Sequence, residues 1–152
     1  MTVWGMAVRI DHGNPVVVGV ELTGSRAAPT GRQVFLHRCE PTDRARALML
    51  LANDLDHELG KLPPTVVVVR AMDWFQARRE NVTRPRIQAE GVLIAVARRV
   101  VPVVTASSGR EIADLCGVSK AAIEAEATSL LGDLDGDAAV AGLGALALAE
   151  RP

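Results

Sequence analysis

The sequence predicts an α/β domain built on a five-stranded mixed sheet flanked by helices. Three observations carry that prediction. The first forty residues hold three β-rich segments separated by turns, residues 41–105 alternate helical periodicity with short β-branched runs, and the remainder from 106 to 152 is helical. At 152 residues, with 49% hydrophobic and 23% charged side chains, the chain has the size and composition of one globular domain spanning 1–152.

Each element has its own justification. Thr2 to Ile10 reads as a first strand, His12-Gly13-Asn14-Pro15 as a turn, Val16 to Leu22 as a second strand and Arg32 to His37 as a third. Pro41-Thr42-Asp43 then signals a helix start, and Leu48, Leu51, Leu55 and Leu59 recur at helical spacing until Gly60. After Pro63-Pro64, Thr65 to Val69 is continuously β-branched, as in an interior strand covered on both faces. Pro85 to Arg99 reads as a helix with Ile87, Gly91, Ile94 and Ala95 inward, and Val100 to Thr105 as a second buried strand. Ser107 to Leu115, Ser119 to Leu131 and Asp135 to Leu148 complete the chain as three helices. The sheet is thus a three-strand meander followed by two parallel strands reached through crossover helices.

Charge and special residues narrow the function classes. The formal net charge is -1, yet residues 70–110 hold eight bases against three acids and residues 111–152 two against eight. The middle segment could hold a phosphate backbone, through Arg78, Arg79, Arg84, Arg86 and Arg110 together with Lys120. Trp74-Phe75 beside these arginines reads either as a contact patch or as aromatics closing the end of the sheet. Cys39 and Cys116 have no metal-ligand spacing with His12, His37 or His57, so reduced thiols and no zinc site are expected. No apolar run reaches the roughly 18 to 20 residues of a membrane span and no secretory leader pattern is visible, so a cytoplasmic protein without membrane contact is expected. Phosphate-loop, dinucleotide and nucleophile-elbow motifs are absent.

The β meander followed by αβαβα, with Ile10-Asp11-His12-Gly13 closing the first strand and Gly19 in the second, resembles the RuvC-type Holliday-junction resolvases of the ribonuclease H-like superfamily. Thr65 to Arg70, Gly91, Val100 to Thr105, Lys120 and Asp137-Ala138-Ala139-Val140-Ala141 follow in the order of the family's later motifs. The resemblance implies a ribonuclease H-like fold, a homodimer, a branched or duplex DNA partner and a Mg2+-dependent site whose carboxylates would be Asp11 and Asp137. Two departures bear on that chemistry: Arg70 stands where the family has a glutamate, and Val140 where it has a second aspartate. Only Asp11 and Asp137 then remain, with Asp73, Asp133 and Asp135 as candidate replacements. The resulting expectation is a domain with reduced or lost nuclease activity that binds DNA or acts as a scaffold. Its alternatives are an active magnesium-dependent resolvase and a protein-interaction module without nucleic-acid binding.

Plainer roles compete at both aspartates: Asp11 can open a hairpin turn, and Asp137 can favour a helix dipole. Residues 107–131 also match a helix-turn-helix regulator, with Ala113, Gly117 and Ile123 packing the two helices. Its recognition helix would offer Ala121, Ala122, Glu124, Ala125 and Glu126 to DNA, and two glutamates facing a polyanion are unfavourable.

Overall fold

The computed structural model describes residues 1–41, 43–73, 80–133 and 135–152. Strands β1 (Thr2–Asp11), β2 (Asn14–Ser25) and β3 (Ala28–Arg38) form the meander, and helix α1 (Arg44–Lys61) leads to β4 (Val66–Arg70). Helix α2 (Glu80–Val100) leads to β5 (Val103–Ser107), and α3 (Gly109–Cys116), α4 (Lys120–Leu131) and α5 (Gly136–Ala149) follow. The sheet order is β3-β2-β1-β4-β5, with β1 antiparallel to β2 and parallel to β4. Element order and topology are those the sequence predicts; the strands of the meander run longer.

Period-two alternation divides the core between the two faces. Met6, Val8, Val67 and Val69 face Leu51, Leu55 and Leu59 of α1 and Leu93 and Ala97 of α2. Val3, Val66 and Val68 face Ile112 of α3, Ile123 of α4 and the apolar helix α5. Arg70 shares its parity with Val66 and Val68, so the strand points it toward α3 and α5. Gly5 brings α5 directly onto β1: a Cβ there would lie 2.1 Å from the carbonyl oxygen of Ala138 and from the nitrogen of Gly142.

Caps set the helix limits. The Asp43 carboxylate accepts from the Ala45 N–H at 3.0 Å, and Ser108 with Glu111 forms a reciprocal capping box on α3. Gly117 ends α3 in the left-handed region at φ +69°, which turns the chain into α4.

Two expectations need correction. Helix α2 turns the other way about its axis: Pro85, Ala89, Glu90, Leu93, Val96 and Ala97 are buried, whereas Ile87 is 53% exposed and Gly91 and Ala95 are exposed, with Ile94 half-buried. The helix is apolar on two sides, so periodicity alone does not choose the inner one. Strand β5 begins at Val103, not Val100, and is a half-exposed edge strand with Val103 42% exposed. Val100 completes α2 and Val101 follows it, so that part of the apolar run belongs to the helix end.

Candidate nucleic-acid site and its charge cluster

The carboxyl ends of the parallel strands converge beside the first turn of α5. Register sets Ala7 of β1 opposite Arg70, and Arg70 opposite Ser107 of β5. The Arg70 side chain is 7% exposed and lies against α3, where the nearest guanidinium atom would be 2.5 Å from a Cβ at Gly109. A Cβ there would force the guanidinium out of its present position.

Carboxylates surround this cation. Arg70 donates to Asp73 through Nη1 at 3.2 Å and Nη2 at 3.4 Å, and to the Ala71 carbonyl at 3.0 Å. Its Nε lies 3.9 Å from Asp137, too long for a hydrogen bond, and finds no hydrogen-bond acceptor among the described residues. Lys120, at the first turn of α4, donates at 2.9 Å to Asp73 Oδ2, the oxygen that also accepts from Arg70 Nη2. Burial opposes ionisation of Asp73, but the hydrogen bonds from Arg70 and then Lys120 outweigh it and lower its pKa to about 2. On the α2 side, Glu90 is buried and pairs with Arg86 at 2.9 Å. Burial raises the Glu90 pKa, against the pull of Arg86 and the field of Arg70. The cluster alternates in sign from α2 across the strand ends to α4 and α5.

The sequence-predicted site residues are partly brought together. Asp137 and Lys120 belong to the cluster. Asp11 does not meet them: it stands four residues beyond Ala7, about 13 Å further along the strand. There it pairs with Asn14 across the β1–β2 turn and lies 3.6 Å from Arg38 and 3.5 Å from His12. The turn is tight, with His12 and Gly13 both at positive φ, so Asp11 flanks a hairpin as one reading of its sequence context anticipates.

Of the candidate phosphate contacts, Arg86 is turned inward onto Glu90, Arg84 is exposed and paired along the helix with Glu80, and Arg110 is exposed at the start of α3. Arg78 and Arg79, with Trp74-Phe75, lie outside the described residues. Of the replacement acids, Asp73 folds back onto Arg70, and Asp135 accepts a hydrogen bond from Gln33 at 2.9 Å. Asp133, with Glu124 and Asp137, lines an open cleft of about 380 Å³ floored by Ala7, Val18 and Val140. Spacing missed the seat at Gly109, whereas the i, i+3 relation of Arg70 to Asp73 was a legible signal for their pairing.

In α3 and α4, Ala113 and Ile123 are buried in the cluster that α5 and the sheet also form, and Ala121, Ala122, Glu124 and Ala125 face outward. Those four side chains offer no base-reading donor.

A divalent ion does not fit this donor set. Metal-dependent nucleases of this fold type need several carboxylates around two cations about 4 Å apart. Here two of the nearest carboxylates already share a buried guanidinium, and Lys120 is a second resident positive charge at Asp73. Among the described residues, no group of three or more His, Cys, Asp or Glu is arranged to hold a metal.

No protein-family model and no curated protein matches the sequence. Solved structures do match in shape. RuvC of Thermus thermophilus superposes with a TM-score of 0.71 at 16% identity, covering 98% of this chain and 95% of its own. The T. thermophilus RuvC in complex with Holliday junction substrate gives 0.68 at 16% identity over 98% of this chain and 94% of that one. The yeast mitochondrial Holliday junction resolvase gives 0.52 at 12% identity, over 95% and 77%. The chain thus has the five-stranded α/β fold of the RuvC-type resolvases, a ribonuclease H-like fold.

Proposed function

We propose that this protein is a RuvC-fold DNA-binding protein that holds branched or duplex DNA by its backbone and does not cut it by two-metal hydrolysis. The observation that carries the proposal is the buried Arg70 at the strand ends, opposite Ala7 and between Asp73 and Asp137. A guanidinium there neutralises the carboxylates that would otherwise recruit Mg2+, and Asp11 is too far along β1 to compensate. The exposed Arg84 and Arg110 are the described side chains assigned to phosphate contact, with Arg78 and Arg79 of the same basic segment. Lys120 can reach a phosphate only by loosening its hold on Asp73. Arg86 is assigned to holding α2 through Glu90.

The proposal includes a homodimer, through the outward stripe of α2. Ile87, Gly91 and Ala95 lie exposed at helical spacing on the side away from the core, with the half-buried Ile94 at the margin where the stripe meets the core, and a Cβ at Gly91 would meet nothing within 4 Å. A second copy crossing at the same stripe would bury it symmetrically and present two equivalent basic segments to one branched substrate.

A second reading is favoured by the acidic cleft. Glu124, Asp133 and Asp137 outnumber Arg9 in its lining and disfavour phosphate, so the domain would then bind a protein and no nucleic acid.

One experiment separates these. A labelled four-way junction is titrated by fluorescence anisotropy across a salt series and then incubated with MgCl2 or MnCl2. The expected result is salt-sensitive binding, weakened by Arg78→Ala with Arg79→Ala, and no strand cleavage. Cleavage lost in Asp137→Asn or Asp11→Asn would overturn the proposal in favour of an active resolvase. Absence of binding at low salt would favour the interaction module.

A further inference from the structure

We propose that Arg70 is a built-in substitute for a metal ion: its guanidinium and a divalent cation are mutually exclusive occupants of the Asp73–Asp137 pair, and Gly109 is the positioning residue that keeps the guanidinium seated. The inference rests on the preceding proposal that the site does not hold metal in the native protein, and extends it to what the carboxylates would do once the guanidinium is gone.

Three observations carry it beyond an ordinary surface ion pair. The Arg70 side chain is 7% exposed and contacts carboxylates from two places in the chain, the segment after β4 and the first turn of α5. Its Nε is buried without a hydrogen-bond acceptor among the described residues, and it faces Asp137, whose carboxylate is 58% exposed and stands 3.9 Å away, within reach of the charge but short of a hydrogen bond. The seat is shaped for this group, because any Cβ at Gly109 would come within 2.5 to 3.0 Å of three guanidinium atoms. A second positive charge, Lys120, completes the neutralisation of Asp73 from outside. With Arg70 removed, Asp137 loses a nearby positive charge and Asp73 keeps, among the described residues, the half-exposed Lys120, which a hard divalent ion can displace.

The probe is MnCl2, read by thermal melting and by isothermal titration, against the same protein in EDTA. The native protein is expected to melt at the same temperature in both and to give no binding heat. Arg70→Gln is expected to lose stability in EDTA and to gain at least about 3 °C in MnCl2. That gain should disappear in Arg70→Gln with Asp137→Asn. Gly109→Ala keeps every charge in the sequence but unseats the guanidinium, so it too is expected to acquire a Mn2+ response, and it decides the matter should Arg70→Gln fail to fold. A native protein stabilised by Mn2+ would overturn mutual exclusion, and folded single variants indifferent to Mn2+ would overturn the substitute role. Junction cleavage by the native protein would instead overturn the preceding proposal, so the two fail separately.

Discussion

Replacing Asp73 by asparagine removes one negative charge from the point where Arg70 and Lys120 meet, at donor distances of 3.2 and 2.9 Å. Burial of the carboxyl works against its ionisation, but hydrogen bonds from Arg70 and Lys120 hold its pKa at about 2, against an ordinary value near 3.8. At about 1.4 kcal/mol per pH unit, that difference would amount to about 2.5 kcal/mol if fully realised. Lys120 is 44% exposed, so solvent screens part of the interaction and about 1 to 1.5 kcal/mol is the realistic contribution. Because folding depresses the pKa, this stability is fully present above pH ~4, where the unfolded chain is also ionised, and is lost as pH falls through about 2. Urea unfolding followed by far-ultraviolet circular dichroism should therefore show native protein and Asp73→Asn furthest apart between pH 5 and 7, roughly in the estimated range, and closing below pH ~3. A gap that stays constant with pH, or widens as acid is added, would refute the assignment of Asp73 as the ionised partner of Arg70.

Other substitutions probe the frame around the cluster. Gly5→Ala drives a Cβ to 2.1 Å from the α5 backbone, so α5 must lift from β1; a loss of at least about 3 kcal/mol is expected in urea unfolding. Ser108→Ala removes the capping bond to the Glu111 N–H and should cost about 1 kcal/mol, read in the same way. Ile87→Glu places a charge on the outward stripe of α2, where Ile87 is 53% exposed, so monomer stability should change by less than about 0.5 kcal/mol. Sedimentation velocity should nevertheless show the proposed dimer weakened, and self-association unchanged by the substitution would exclude this stripe as the interface.

The topology was legible because each crossover carries its own signal. A leucine series at helical spacing followed by Val66 to Val69 can only be a helix returning to an interior strand, and Gly117 and Gly132 punctuate the helical tail. What could not be read was which way α2 faces. Ile87 and Ile94 define one apolar side, and Ala89, Leu93, Val96 and Ala97 another, and both satisfy the periodicity. Packing resolved it: Leu93 and Ala97 meet α1 and the sheet, where small and branched side chains interlock, while Ile87 is left outside and Ile94 sits half-buried at the margin of the core. The same ambiguity displaced the start of β5, because nothing in a run of valines marks where a helix stops.

The site was less legible for a reason of register. The sequence presents Asp11 at the end of the first strand and Arg70 at the end of the fourth, and strand ends suggest a shared level. The β1–β2 hairpin is longer than that: its ladder continues from Ala7↔Val18 to Asp11↔Asn14, carrying Asp11 past the end of β4, while β1 stands level with Arg70 at Ala7. An alanine there contributes neither charge nor ligand, so the position a carboxylate could have occupied is apolar and packs on Ala138. The buried cation needs acids from elsewhere, and they come from the segment after its own strand and from the first turn of α5, with Gly109 opening the space between. Changing Ala7 to Asp would add a carboxylate level with Arg70 and on its face of the sheet. The guanidinium cluster would then gain another competitor for Arg70, so this change alone should not confer Mn2+ binding, whereas Ala7→Asp with Arg70→Gln should bind Mn2+ more tightly than Arg70→Gln alone. Equal affinities in titration would mean that the two strand ends do not share the charge, and that register is the wrong explanation for the isolation of Asp11.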